Sequence, residues 1–191
     1  MKRCPWVPED NPLYVEYHDT EWGVPSRDPH HLFEMLCLEG AQAGLSWWTI
    51  LKKRARYREV FHGFDPRRVA EMTDAELERI LSDPGIVRHR GKVLAFRRNA
   101  RAWLERPDPV DFLWSFAPAK PPRKRPKTMA DYPTKTPESD AMSKALKKAG
   151  FTFVGSTTLY AFMQATGMVD DHSADCFRLK FKSQISTLKE E

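Results

Sequence analysis

The stretch Asp28-Pro29-His30-His31-Leu32-Phe33-Glu34-Met35-Leu36-Cys37-Leu38-Glu39-Gly40 reads as one helix. Asp28 is an N-cap and Pro29 a first-turn proline, and Leu32, Phe33, Leu36 and Cys37 follow at the spacing of a core-facing stripe up to Gly40. The same grammar repeats outward from it. A second helix is expected from about Leu45 to Phe61, and Asp65-Pro66 opens a third. Thr73-Asp74-Ala75-Glu76 is a capping box ahead of Leu77, Ile80 and Leu81, and Asp83-Pro84-Gly85 stops that helix. From Gly91, the residues Val93, Leu94, Phe96, Ala100, Trp103 and Leu104 share one broad apolar face. Asp140 to Lys148 forms a further helix that ends at Gly150, and Ser156 or Thr157 caps a last one running to Gly167. Phe151-Thr152-Phe153-Val154 alternates like a strand but has no partner, so the expected fold class is all-α.

With 191 residues, the chain is long enough for one large domain or two small ones sharing a core. Hydrophobic residues at 41% exclude a disordered chain, and the absence of a long apolar run excludes a membrane helix. The opening Met-Lys-Arg-Cys-Pro-Trp has no apolar signal region, so a cytoplasmic location with reduced thiols is expected. A net charge of +5 fits a polyanionic partner without requiring one. Residues 117–137 carry Lys120, Arg123, Lys124, Arg125, Lys127 and Lys135 among prolines and read as a basic loop; 177–191 reads as a polar tail.

Cys4 and His18 stand near one end of the chain, and His172 and Cys176 near the other in His-x3-Cys spacing. Two Cys and two His make an ordinary tetrahedral zinc set, which here would tie the two ends together. The spacing equally admits an exposed Cys4, a surface His18 and an incidental His172–Cys176 pair. Cys37, on an apolar helix face, reads as packing.

Glu39 is a carboxylate among apolar and small residues, either solvated at a helix end or facing a pocket. Trp6, Tyr14, Tyr17, Trp22, Phe33, Trp47 and Trp48 crowd the N-terminal third. Most aromatics are core, yet Trp and Tyr faces near a lone carboxylate also suit a planar, electron-poor ring. Trp47 and Trp48 point about 100° apart on a helix, so they do not share one narrow face.

Gly85-Ile86-Val87-Arg88-His89-Arg90-Gly91-Lys92 is a Gly-containing turn into a helix, with no acid from Pro84 to Leu104. Such a turn, with Arg88, Arg90 and Lys92, suits a phosphate backbone, as helix–hairpin–helix elements do; a solvated turn is the plainer reading. Lys52, Lys53, Arg54, Arg56 and Arg58 form a second basic run, read as a solvated helix face.

Taken together, Arg3-Cys4-Pro5-Trp6, Tyr17-His18-Asp19, Glu21-Trp22-Gly23-Val24-Pro25, Leu38-Glu39-Gly40 with Gln42 to Trp47, Gly85 to Lys92, Asp111 to Phe116, Ser143 to Lys148 and Phe162 to His172 resemble the bacterial DNA-3-methyladenine glycosylase I family. The resemblance covers nearly the whole chain to Cys176. It implies an all-α helix–hairpin–helix glycosylase fold with a zinc clip joining the terminal segments, and removal of 3-methyladenine from double-stranded alkylated DNA without strand cleavage. It also implies one structural zinc on Cys4, His18, His172 and Cys176. Glu39 is then the catalytic carboxylate, with Trp6, Tyr14, Tyr17 and Trp47 holding the base. Gly44 and Leu45 enter the gap left by the extruded nucleotide, and Gly85, Arg88, Arg90, Gly91 and Lys92 meet the DNA. The chain is expected to act as a monomeric unit over 1–191. A central hairpin subdomain spans about 45–115, and a zinc-bound subdomain combines 1–44 with 116–180. Asp108 and Asp111 are in range of the catalytic Asp of the wider superfamily, which this family looks able to do without. A zinc base deaminase would need a Cys-x-x-Cys motif, and none occurs.

Overall fold

Cap chemistry sets where the helices begin. The computed structural model describes residues 1–119 and 124–179, and no strand occurs among them. Ten α-helices lie within this range: α1 Pro12–Thr20, α2 Pro29–Gln42, α3 Trp47–Leu51, α4 Arg54–Val60, α5 Pro66–Glu71, α6 Asp74–Leu81, α7 Arg90–Leu104, α8 Pro109–Trp114, α9 Pro137–Lys148 and α10 Ser156–Ala165. Short 3₁₀ turns cover His62–Phe64 and Met129–Asp131. The carboxylate of Asp28 accepts from the His30 amide at 2.9 Å and starts α2 as expected. The Thr73–Glu76 box starts α6, with Thr73 N–H on Glu76 Oε2 at 2.7 Å.

Some boundaries depart from the sequence reading. The helix expected from Leu45 to Phe61 is two helices broken at Lys52-Lys53, and it starts later because Gly44 takes φ +77°, a conformation that ends α2. Gly40 does not stop α2, which continues to Gln42. Ser156 is the first residue of α10 rather than its cap, and its hydroxyl is bonded to that of Ser139 on α9 at 2.9 Å. The alternating segment 151–154 finds no partner strand. A side-chain amide does that work: Asn99 Nδ2 donates to Thr152 O at 3.1 Å, and Thr152 N–H donates to Asn99 Oδ1 at 2.8 Å.

Helix α2 is buried on nearly every side from Leu32 to Ala41, so it is the axis of the molecule, packed by α7 and α10. Phe61, Phe64, Phe96, Leu77 and Leu113 extend the same apolar cluster under α4 to α8. The two ends of the chain meet: the Phe177 amide donates to Lys2 O at 2.9 Å, and Lys2 Nζ pairs with Asp175 at 2.5 Å. Lys120, Arg123 and residues 180–191 of the tail lie outside the described residues. No described helix is long and apolar enough to cross a membrane.

Candidate functional site

Glu39 lies near the C-terminal end of α2 and is 4% exposed, which settles the choice between a solvated and a pocket carboxylate. Its side chain lines a cavity of about 240 Å³ walled by Trp6, Tyr14, Tyr17 and Trp47. Helix α1 presents Tyr14 and Tyr17 one turn apart, α3 presents Trp47, and Trp6 comes from the segment ahead of α1. The rings brace one another, with Trp6 to Tyr14 at 5.8 Å and Tyr17 to Trp47 at 5.3 Å between centroids. Trp48 points away from the cavity and stacks behind Tyr14 at 6.0 Å, which answers the question raised by the adjacent pair.

Burial pushes the Glu39 carboxyl from an ordinary 4.5 up to about 8, against a smaller downward pull from the Arg54 charge. Arg54 does not neutralise it because that cation is already engaged. Its Nε meets Glu34 at 2.8 Å and its Nη1 meets Glu21 at 2.7 Å. Arg54 is therefore a buried network residue and not part of a solvated face. The half-buried Tyr14 and the buried Tyr17 respond to the same environment: burial, then the Glu39 charge, raises both phenols. Trp47, which lines the same cavity, has its Nε1 buried with no hydrogen-bond partner among the described residues.

The cavity also draws on Trp22, Gln42, Ala161, Gln164 and the segment Met129 to Pro133. Trp22 and Gln164 fall within or beside motifs legible in the sequence, but nothing local marks Tyr132, which sits in the stretch read as a basic loop. Its phenol is pushed above its ordinary range by burial and then by the nearby Cys4 sulfur.

Cys4, His18 and Cys176 are buried, and their ligand atoms all lie within 4.8 Å of one another. This group can hold a metal ion, and the exposed-thiol and surface-histidine alternatives do not survive. His172 is fully buried beside them, with its ring 5.4 Å from that of His18. Its Nδ1 is 2.8 Å from Asp170, while its Nε2 is buried with no partner among the described residues. Close packing is required here: a Cβ on Gly23, at φ +73°, would fall 2.6 Å from the His172 ring. Cys37 is buried on α2 away from this group, and burial raises its thiol, as expected of packing.

The turn from Ser82 to His89 connects α6 to α7. Arg88 is exposed, and the side chain of Arg90 is 64% exposed and paired with Glu78. Gly91 is exposed in the first turn of α7. The amide of Gly85 is already taken by Asp83 Oδ1 at 2.6 Å, so the expected role of Gly85 as an anion donor is corrected to one of turn geometry. The expectation of a phosphate-contacting Lys92 is likewise corrected. Lys92 is 7% exposed, and its ammonium donates to Ala41 O at 2.8 Å and Ala43 O at 2.5 Å, the free carbonyls at the end of α2. It fastens α7 to the segment carrying Gly44 and Leu45, and Leu45 projects 41% exposed. Asp111 is an exposed partner of Arg27 at 2.7 Å, and neither it nor Asp108 lines the cavity.

Comparison with known proteins finds similarity over nearly the whole chain. The family model described as methyladenine glycosylase matches residues 6–179. The chain is 56% identical over 180 residues to DNA-3-methyladenine glycosylase 1 of Escherichia coli (strain K12), covering 92% of this chain and 96% of that protein. It is 51% identical over 178 residues to the DNA-3-methyladenine glycosylase of Haemophilus influenzae, covering 91% and 96%. Among solved structures, a 3-methyladenine DNA glycosylase I is similar at TM-score 0.88 and 54% identity, covering 92% of this chain and 98% of that one. A tyrosine-to-phenylalanine variant of a 3-methyladenine DNA glycosylase I, in complex with 3-methyladenine, is similar at TM-score 0.86 and 38% identity, covering 93% and 97%.

Proposed function

Because the chain belongs to the methyladenine glycosylase family, we infer that it is a DNA repair N-glycosylase hydrolysing the bond between 3-methyladenine and deoxyribose in alkylated DNA. The observation that carries the reading to particular residues is a buried carboxyl, Glu39, left without a counter-charge in a cavity walled by Trp and Tyr.

N3-methylation makes adenine cationic, so the base is already a good leaving group and a strong nucleophile is unnecessary. The protein has to extrude the nucleotide, at a few kcal/mol of lost stacking, and hold it while water attacks an oxocarbenium-like sugar. Tyr and Trp faces favour a cationic ring over neutral adenine. Glu39 accepts hydrogen bonds from the base edge and, once ionised, stabilises its charge, so discrimination resides in the pocket. No lysine lines the cavity among the described residues, which accords with hydrolysis without a Schiff base and without strand cleavage. In this reading exposed Leu45, between Gln42 and Trp47 of the cavity wall in sequence, fills the gap in the duplex, and Arg88, Arg90 and the α7 N-terminus at Gly91 grip the backbone as a hairpin. Incubated with DNA methylated at adenine N3, the protein releases 3-methyladenine and leaves the strand uncut. Folded protein that releases no base would overturn the assignment.

Cys4, His18, His172 and Cys176 fit a structural zinc: two thiols, two imidazoles, an orphaned buried His172 Nε2, and Asp19 and Asp170 on the other nitrogens of the two rings. The metal would supply stability by joining the chain ends, and no chemical step needs it.

The hairpin reading separates two neighbouring cations. Arg88→Ala should weaken binding to DNA of any sequence and reduce its salt slope by about one. Lys92→Met should leave that slope unchanged but cost about 1–3 kcal/mol of stability, because the buried carbonyl of Ala41 and the partly buried one of Ala43 lose their donor. Salt titrations of binding and thermal melts of both variants check this, and a slope reduced by Lys92→Met would return Lys92 to the phosphate contacts.

A further inference from the structure

Two side-chain amides, those of Gln42 and Gln164, line the base cavity together with Glu39. Of the two, Gln164 is the one anchored among the described residues: its Nε2 donates to Asp171 Oδ2 at 2.8 Å. Helix α10 carries Tyr160 and Gln164 four residues apart on one face, and the chain then turns back, with the Val169 amide on Met163 O at 3.1 Å, to set Asp171 against both. The Tyr160 hydroxyl donates to the same carboxylate oxygen, and both Tyr160 and Asp171 are buried. These contacts fix which way round the Gln164 amide lies, because its nitrogen is spent on Asp171. Its Oε1 accepts no hydrogen bond among the described residues and keeps accessible surface, so the oxygen is the end offered to the cavity.

An amide oxygen accepts and cannot donate, so a base that meets it has to bring an N–H. Such a group suits the 6-amino substituent of an adenine. It disfavours the 6-carbonyl of a hypoxanthine or guanine, where two lone pairs would face each other and both oxygens would stay unpaired. We propose that Gln164 is a specificity-determining residue whose amide oxygen accepts from the exocyclic amino group of the extruded base, with Asp171 holding the amide in that orientation. This role rests on the glycosylase reading and deepens it. The Trp and Tyr faces select for a cationic ring, and Gln164 adds selection for amino over oxo at position 6. Gln42, which has no anchor among the described residues, can turn either end of its amide to the cavity and carries no such preference.

Equilibrium binding of two free bases, 3-methyladenine and 3-methylhypoxanthine, followed by tryptophan fluorescence, tests the role. Wild type should favour the amino base. Gln164→Met keeps the length of the side chain and removes the oxygen. 3-Methyladenine should then bind about fivefold more weakly, as for loss of one hydrogen bond, while 3-methylhypoxanthine binds as well as before or better. Gln164→Ala reads the same ratio of affinities if the methionine variant does not fold, and melts of each variant establish that it has. Equal losses for both bases would overturn the proposal, leaving Gln164 as a piece of wall, and so would an unchanged affinity for 3-methyladenine. Wild type that binds both bases equally would overturn it without any variant. Wild type that binds neither would overturn the pocket reading as well, whereas release of 3-methyladenine from methylated DNA tests the glycosylase reading separately.

Discussion

Replacing Glu39 with Gln lowers the rate of 3-methyladenine release by on the order of a hundredfold, as for loss of one group aimed at developing or resident charge in a water-poor site. Stability moves the other way. Burial holds the Glu39 carboxyl at about 8 in the folded chain against an ordinary 4.5. Between those values the folded protein retains a proton that the unfolded chain has released, so wild-type stability falls as pH rises through this window. The loss is on the order of a few kcal/mol by pH 9, and a chain of this length changes its melting temperature by about 2–4 °C per kcal/mol. Glu39→Gln should therefore melt close to wild type at pH 5 and several degrees higher at pH 9. Because a cationic base is best met by the carboxylate, wild-type kcat/KM should rise with pH up to about 8, and that rise should vanish in the variant. Base-release kinetics and melts across pH read both effects; a variant of normal activity, or one that melts lower at pH 9, would remove Glu39 from the role.

Cys176→Ser should lose the proposed zinc and melt on the order of 10 °C below wild type, since metal-binding free energy is folding free energy and the loop closed between His18 and His172 is most of the chain. Cys37→Ser is the control, because that thiol is equally buried but sits on α2 away from the other two. It should keep full metal content while losing some packing. Metal analysis and melts of the two variants decide the matter, and native protein that carries no metal would end the zinc assignment.

The helices that begin at Asp28-Pro29 and Thr73 are legible because their caps are local: donor and acceptor lie within three residues of one another. Glu39 stands out as a carboxylate in apolar company, although its role as a base ligand comes from the family resemblance rather than from its neighbours. What stays hidden depends on partners distant in sequence. Arg54 reads as one more member of a basic run, and its burial follows only from Glu34 and Glu21, 20 and 33 residues earlier. Lys92 reads as a hairpin cation, and only the carbonyls of Ala41 and Ala43 turn it inward. Tyr132 sits among prolines and lysines with no periodicity to assign it a face. The break at Lys52-Lys53 is hidden as well, since strong helix formers run through it.

The cavity is walled by Trp6, Tyr14 and Trp22 from one end of the chain and by Tyr132, Ala161 and Gln164 from the other. A ribosome delivers these in order, so the chain stays incompetent for most of its synthesis, with its N-terminal aromatics waiting for residues made last. The chamber is complete only once the segments carrying Tyr132, Ala161 and Gln164 stand against the N-terminal aromatics. A truncated product, however well its central helices fold, would have no chamber in which to hold a base, and so could not compete with the finished enzyme for damaged sites.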